Sequence, residues 1–122
     1  MARLLVVDDD SAQIKIWRLL LEASGHEVES AESLEAALAQ LVAVAPDVLI
    51  MDLRLPELKE GLVLIRQAGE RKATRILVMS GWPRDLETLP EGELVSRVLA
   101  KPVRPATLLR TIKEVTTRAA GI

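Results

Sequence analysis

Short apolar runs recur along the chain, and each ends in residues typical of a turn. Apolar runs of this length predict strands that are buried on both faces of a sheet. One run, at residues 27–30, is more polar, which is typical of a strand at a sheet edge. The predicted strands cover residues 4–7, 27–30, 48–52, 75–80 and 97–100.

Amphipathic stretches between the first three strands predict two helices. The first begins with Ser11 as its N-cap and ends near Ser24, before Gly25. The second is opened by Ser33 and stops before Pro46, because the residue before a proline disfavours helical backbone. The predicted inward-facing residues are Ile16, Trp17, Leu20 and Leu21 in the first helix and Leu34, Leu38, Leu41 and Val42 in the second.

The second half of the chain alternates in the same way. We predict a loop over residues 57–61 and a third helix over residues 62–71. A final helix should begin with Pro105 as its first residue and fray near residues 119–121. Residues 81–96 hold two prolines and two glycines, so any helix there should be short or broken. The predicted inward-facing residues of the final helix are Leu108, Leu109, Ile112 and Val115.

Strands and helices therefore alternate along the whole chain. This order predicts an α/β fold, with a doubly wound parallel sheet covered by helices on both faces and right-handed crossovers. No linker, internal repeat or low-complexity tract interrupts the pattern, so we expect one domain over residues 1–122.

Composition excludes several classes of function. The 122 residues carry a formal net charge of −2, which gives no electrostatic footprint for nucleic acid. The absence of cysteine excludes disulfides and thiolate chemistry, and a single histidine excludes a His-rich metal site. No apolar run approaches the about 18 residues of a membrane span, and no signal-peptide pattern is present, so we expect a cytoplasmic protein without membrane or nucleic-acid contacts.

Five polar side chains follow or end predicted strands, and they carry the candidate chemistry. All strands of a parallel sheet point the same way, so these residues should meet at one sheet edge. Clustered carboxylates repel one another unless a hard cation, most plausibly Mg²⁺, and a lysine neutralise them. Carboxylate, metal, lysine and hydroxyl together are typical of a phosphoryl-transfer site in which an aspartate acts as nucleophile. The five residues are Asp8, Asp9, Asp52, Ser80 and Lys101.

Four segments at these strand ends resemble the signature segments of response-regulator receiver domains. They are Leu5–Asp10, Met51–Pro56, Met79–Gly81 and Ala100–Pro102, in the family's order and with near-family spacing. The resemblance implies a flavodoxin-like five-stranded sheet of order 2-1-3-4-5 in a three-layer αβα arrangement. It also implies a cis peptide bond between Lys101 and Pro102.

The resemblance assigns roles to residues around the sheet edge. Asp52 would accept a phosphoryl group from the phosphohistidine of a histidine kinase. Asp9, Asp52 and the backbone carbonyl of Arg54 would bind Mg²⁺, and Asp8 would assist through water. Ser80 and Lys101 would hold phosphoryl oxygens.

Two further residues, Gly81 and Trp82, directly follow Ser80 in the sequence. Gly81 would keep the site open to a phosphoryl donor. Trp82 and its partner position, Arg54, would tune dephosphorylation, as residues at these places do in the family.

The chain departs from the family at its expected output face. The last strand usually carries an aromatic ring that moves with the hydroxyl residue, and here that switch position is Val98. Together with the broken fourth helix, Val98 favours an alternative: a pseudo-receiver that binds a partner without phosphorylation. A second alternative, a metal-dependent aspartyl-phosphate phosphatase, would need a carboxylate two residues after Asp52, where Arg54 stands.

A receiver domain of this kind implies protein partners. Its phosphoryl donor would be a histidine kinase or a phosphotransfer protein. Its output would go to a downstream protein or to a fused domain, and homodimerisation is possible. It would catalyse its own phosphorylation and dephosphorylation without turning over an external substrate.

Overall fold

The computed structural model describes residues 1–120, with side chains through residue 117. Nine helices and strands and one 3₁₀ turn follow one another along these residues. They are β1 (Arg3–Val7), α1 (Ser11–Ala23), β2 (Glu27–Ala31), α2 (Leu34–Val44), β3 (Val48–Asp52), α3 (Leu58–Gly69), β4 (Arg75–Ser80), a 3₁₀ helix (Pro90–Leu94), β5 (Arg97–Ala100) and α4 (Pro105–Ala120).

The five strands form one parallel sheet of order β2-β1-β3-β4-β5, which confirms the predicted flavodoxin-like topology. β3 lies at the centre, and its four apolar residues are fully buried. In-register pairing places Val7 beside Met51, Asp52 beside Met79, and Ser80 beside Ala100. The polar residues after these strands therefore begin at the same edge of the sheet.

Alternate strand residues fill two separate cores, one on each face of the sheet. Leu5 and Leu49 pack with α2 and α3 on one face, whereas Leu4 and Ile50 pack with α1 and α4 on the other. Trp17 is the one aromatic side chain in either core, among the described residues. Aliphatic packing on both faces thus holds the central strand, and with it Asp52, in a fixed place.

The helix caps and faces required three corrections. The N-cap of α1 is Asp10 and not Ser11, because the Asp10 side chain accepts hydrogen bonds from the next turn's backbone N–H groups. Ile16 is 56% exposed and Val42 is 73% exposed, although both were predicted to face inward. Each directly precedes or follows a buried residue, Trp17 or Leu41, and adjacent helical residues point about 100° apart. Ser33 caps α2 as predicted.

α3 begins at Leu58, four residues before the predicted start, and ends at Gly69, two residues before the predicted end. The predicted loop over residues 57–61 is wrong from Leu58 onward, and Gly61 lies in the first turns of α3 although glycine disfavours helices. A Cβ at Gly61 would overlap the backbone carbonyl oxygen of Leu53. Glycine is therefore needed there for close packing, and that requirement outweighs its weak helix propensity.

The segment between β4 and β5 contains no α-helix, which confirms the predicted break. Its regular element is the 3₁₀ helix, which is fastened to α3 by an ion pair between Arg66 and Glu91 at 2.6 Å. Leu94 also lies against Gly69 of α3. The segment is therefore short but anchored.

The final helix begins at Pro105 as predicted and buries Leu108, Ile112 and Val115, while Leu109 is half-buried. Fraying was expected near residues 119–121; the helix continues through Ala120, and residue 121 lies outside the described residues. Within residues 1–120, no helix has both the length and the apolarity to cross a membrane.

Candidate functional site

The sheet brings the predicted site residues together at the C-terminal ends of its strands. Asp8 and Asp9 follow β1, and Asp52 ends β3. Each of these three side chains offers a carboxylate oxygen, and the three oxygens lie within 4.8 Å of one another. β1 and β3 are paired neighbours, so the approach of these carboxylates follows directly from the sheet order.

Asp8 is the most buried member of the cluster, with 2% of its surface exposed. Its Oδ1 accepts a hydrogen bond from the Asp10 backbone N–H at 2.9 Å. Burial raises the pKa of the Asp8 carboxyl above its ordinary value, because desolvation disfavours the charged form. The Asp10 N–H and Lys101 oppose this rise, and the charges of Asp52 and Asp9 add to it.

Asp52 accepts a hydrogen bond on each of its two carboxylate oxygens. The Lys101 ammonium donates to Asp52 Oδ2 at 2.8 Å, and the Arg54 backbone N–H donates to Oδ1 at 3.3 Å. Asp52 is half-buried, and its pairing with Lys101 joins residues from β3 and the end of β5. The carboxylate is thus oriented as well as partly neutralised.

Ser80 is buried beside this pair, at the end of β4. Its Oγ accepts a hydrogen bond from the Trp82 backbone N–H at 2.9 Å, and its carbonyl accepts one from Lys101 N at 2.9 Å. A hydroxyl that accepts in this way still has its own hydrogen to donate. The Lys101–Pro102 peptide is cis, as the family resemblance implied, and so is Leu55–Pro56.

Gly81 and Val98 occupy the remaining predicted positions. A Cβ at Gly81 would meet no atom within 4 Å, so this side of the site is open. Val98 is half-buried against the core on the α2 and α3 side. It lines a cavity of about 520 Å³ together with Leu86, Leu89 and other residues of the segment between β4 and β5.

A second cavity, of about 710 Å³, opens directly onto the acidic cluster. Asp9, Asp52 and Lys101 line one part of it, while Trp17 and Val103 give another part an apolar wall. A donor group can therefore reach the carboxylates from solvent. The apolar wall was not predicted as part of the site, since Trp17 was interpreted only as a packing residue.

Three side chains form a cluster that the sequence did not reveal. The Arg54 guanidinium lies over the Trp82 ring, 4.1 Å from its centroid, and its Nη2 donates to Asp85 Oδ2 at 2.9 Å. Arg54 and Trp82 were predicted to flank the site, and the structure shows that they are in contact. Asp85 was missed because residues 81–96 have no periodicity from which a side chain can be placed.

The donor set fits a hard divalent cation. Three carboxylate oxygens within 4.8 Å of one another match the oxygen ligands and the charge that Mg²⁺ requires. Asp8 is buried, so its charge is poorly compensated by protein groups alone. The residues present therefore suit the metal that the resemblance implied.

Comparison with known proteins agrees with this geometry. The family model described as response regulator receiver domain matches residues 4–113. The chain is 32% identical to the protein PilH of Pseudomonas aeruginosa over 119 residues, covering 94% of this chain and 98% of PilH. It is 30% identical to the virulence transcriptional regulatory protein PhoP of Salmonella typhimurium over 126 residues, covering all of this chain and 55% of PhoP.

Solved structures show the same fold. A response regulator receiver domain protein from Clostridium thermocellum superposes with a TM-score of 0.87 at 27% identity, over 98% of both chains. The chemotaxis response regulator CheY4 of Vibrio cholerae gives 0.78 at 32% identity, over 94% of this chain and 98% of that one. The chain spans about half the length of PhoP and of the transcriptional regulatory protein ResD of Bacillus subtilis. With a family match over residues 4–113 and relatives of this similarity, the chain belongs to the response regulator receiver domains of two-component signalling.

Proposed function

We propose that this receiver domain accepts a phosphoryl group on Asp52 from the phosphohistidine of a histidine kinase or a phosphotransfer protein. The observation that carries the proposal is the position of the Asp52 carboxylate. It lies among Asp8 and Asp9 and 2.8 Å from the Lys101 ammonium, at the mouth of an open cavity. Sequence relatives named as regulatory proteins support the same role.

In the proposed reaction, an oxygen of Asp52 attacks the phosphorus of the donor. The phosphorus–nitrogen bond breaks, its electron pair returns to the imidazole, and an acyl phosphate forms on Asp52. Lys101 would move from the carboxylate to a phosphoryl oxygen, and the Ser80 hydroxyl would donate to another. Mg²⁺ bound by Asp9 and Asp52, by the Arg54 carbonyl and by Asp8 through water would neutralise the charge on the transferred group. Attack by water on the phosphorus would later regenerate Asp52 and release phosphate.

The apolar wall of the cavity gives the donor protein a surface to contact. Val103 and the 56% exposed Ile16 line the same cavity as the carboxylates, so a protein that brings a phosphohistidine to Asp52 would cover them. Output would pass to a downstream protein or to a fused domain. The names of PhoP and ResD describe transcriptional regulators, and each extends well beyond the part that this chain matches.

Phosphorylation with acetyl phosphate and Mg²⁺, followed by intact-mass measurement, tests the proposal. Wild type should gain one phosphoryl group, and Asp52→Asn should gain none. Asp47→Asn is a matched control, since Asp47 precedes the same strand at its opposite end and binds the Arg3 backbone N–H, a contact that asparagine can keep. Labelling that survives in Asp52→Asn, or labelling of wild type that persists in EDTA, would refute the assignment.

A second function is favoured by the loss of the usual output elements. Val98 replaces an aromatic residue, and the segment before β5 holds only a 3₁₀ helix. A domain of this kind would bind its partner without phosphorylation. If beryllofluoride and Mg²⁺ leave the amide spectrum of residues 81–103 unchanged, this second function is the correct one. A phosphatase is disfavoured because Arg54, two residues after Asp52, is an ion-pair partner of Asp85 and not an acid.

A further inference from the structure

The Arg54 side chain lies at the boundary between the phosphorylation site and the segment that follows β4. Its backbone N–H is bonded to Asp52, whereas its guanidinium is directed to Asp85 and Trp82. One residue thus contacts the proposed phosphoacceptor through its main chain and the 82–85 turn through its side chain. Any change of charge on Asp52 acts directly next to this arginine.

The present placement of the guanidinium leaves one of its donors unused. Nη2 is paired with Asp85, but Nε is buried and has no hydrogen-bond partner among the described residues. A buried donor without an acceptor is unfavourable. The arginine is therefore held by Asp85 and Trp82 in a position that does not satisfy all of its hydrogen bonds.

A phosphoryl group on Asp52 would offer the guanidinium a stronger partner than Asp85. It carries about −1.5 to −2 charges and three acceptor oxygens, against a single charge on a carboxylate. Guanidinium groups bind phosphoryl oxygens through paired, charge-assisted hydrogen bonds, and such a pairing would also use Nε. The ion pair that opposes this movement is partly exposed, with 39% and 25% of the two side chains accessible, so it is not strong.

We propose that Asp85 is a positioning residue that competes with the phosphoryl group on Asp52 for the guanidinium of Arg54. Without phosphate, Asp85 holds Arg54 against Trp82 and away from the site. With phosphate, Arg54 moves to the phosphoryl oxygens and releases both Trp82 and Asp85. This regulation rests on the proposed function, since it requires a phosphoryl group at Asp52.

The test measures the affinity of the folded protein for beryllofluoride with Mg²⁺, which imitates the phosphoryl group. Asp85→Asn should bind about two- to fivefold more tightly than wild type, which is the strength of a partly exposed ion pair. In an Arg54→Gln background the same substitution should change nothing. Asp85→Glu, which keeps the charge, should restore an affinity close to that of wild type.

A matched control separates this effect from simple loss of negative charge. Glu87→Gln removes one charge from the same segment but leaves Arg54 untouched, because Glu87 pairs with Arg84. It should bind beryllofluoride as wild type does. An equal gain in Glu87→Gln, or a gain from Asp85→Asn that persists without Arg54, would overturn the proposal.

Wild-type protein supplies a second measurement that needs no Asp85 variant. Trp82 has one of only two indole N–H signals in the chain, and Trp82→Phe assigns it. Beryllofluoride with Mg²⁺ should shift this signal, and the shift should be smaller in Arg54→Gln. An unchanged Trp82 signal in protein that binds beryllofluoride would contradict the competition and leave phosphorylation intact. If wild type does not bind beryllofluoride at all, the proposed function fails and this inference fails with it.

Discussion

Gly61→Ala tests whether α3 rests directly on the turn that follows Asp52. Gly61 is in α3, and a Cβ there would overlap the carbonyl oxygen of Leu53, the residue after the proposed phosphoacceptor. Leu53 cannot easily yield, because its backbone N–H is bonded to the Met79 carbonyl at 3.2 Å. The overlap between the added Cβ and the Leu53 carbonyl oxygen can therefore be removed only if α3 shifts away from the sheet.

The magnitude follows from two opposing effects. Replacing a helical glycine by alanine normally stabilises a helix by about 1 kcal/mol. Inserting a methyl group into a packed core normally costs about 1–3 kcal/mol, and more where the obstructing atom belongs to the backbone. Because the obstructing atom is a backbone carbonyl oxygen, we take this cost to be about 3–5 kcal/mol, so the free energy of unfolding should fall by about 2–4 kcal/mol.

Urea denaturation followed by far-ultraviolet circular dichroism measures this change. With a mid-range slope of about 2 kcal/mol per molar urea, the midpoint should fall by roughly 1–2 M. Gly69→Ala in the same helix is the control, since its Cβ would come within 2.9 Å of Leu94 Cδ1, the end of a flexible, exposed side chain. That variant should stay within about 1 kcal/mol of wild type. If Gly61→Ala is as stable as wild type, or if the two variants lose equal stability, the inferred packing is wrong.

Three other perturbations probe different parts of the fold. Thr74→Val leaves the carbonyl of Pro46 without the buried Thr74 hydroxyl, 2.7 Å away, and should cost about 1–3 kcal/mol of unfolding free energy, whereas Thr74→Ser should cost less. Burial lowers the pKa of His26 below its ordinary value, so protonation favours the unfolded chain. Stability should therefore fall as the pH drops below about 6.5, the pKa of a free imidazole. In thermal melts between about pH 7.5 and about pH 5, His26→Gln should weaken that fall. Val98→Phe should cost less than about 1.5 kcal/mol, because the ring can enter the adjoining cavity of about 520 Å³; a larger loss in urea denaturation would show that this cavity does not accept it.

The strands and their chemistry could be predicted from the sequence because their signals are local and repetitive. A run such as Val48–Met51 is too apolar for a surface strand, and strictly parallel strands bring their ends to one edge. The cluster of Asp8, Asp9 and Asp52 follows from those two facts alone. The cis bond at Pro102 was a different kind of success, because it came from family resemblance and not from the residues.

Two helix faces and the start of α3 were predicted less well, and these errors share one physical cause. Ile16 and Val42 are apolar residues on exposed helix faces. The sequence alone does not show which side of each helix packs against the sheet. The need for glycine at position 61 comes from the Leu53 backbone that it contacts, and the sequence does not show that contact. In each case tertiary packing decided the outcome, which a local propensity cannot anticipate.

The residues that would bind the phosphoryl group and the residues that would respond to it are held in place in different ways. Residues that would accept and hold the phosphoryl group lie at strand ends, where the sheet register fixes them. Residues that would report it, Arg54, Trp82 and Asp85, are joined by one ion pair and one ring contact in an irregular turn. Such contacts are weak enough to be broken by a single added charge, whereas the strand ends are not. If Asp52 accepts a phosphoryl group as proposed, a receiver with Val98 in place of the aromatic switch would still convert phosphorylation into movement, through the arginine beside the proposed phosphoacceptor.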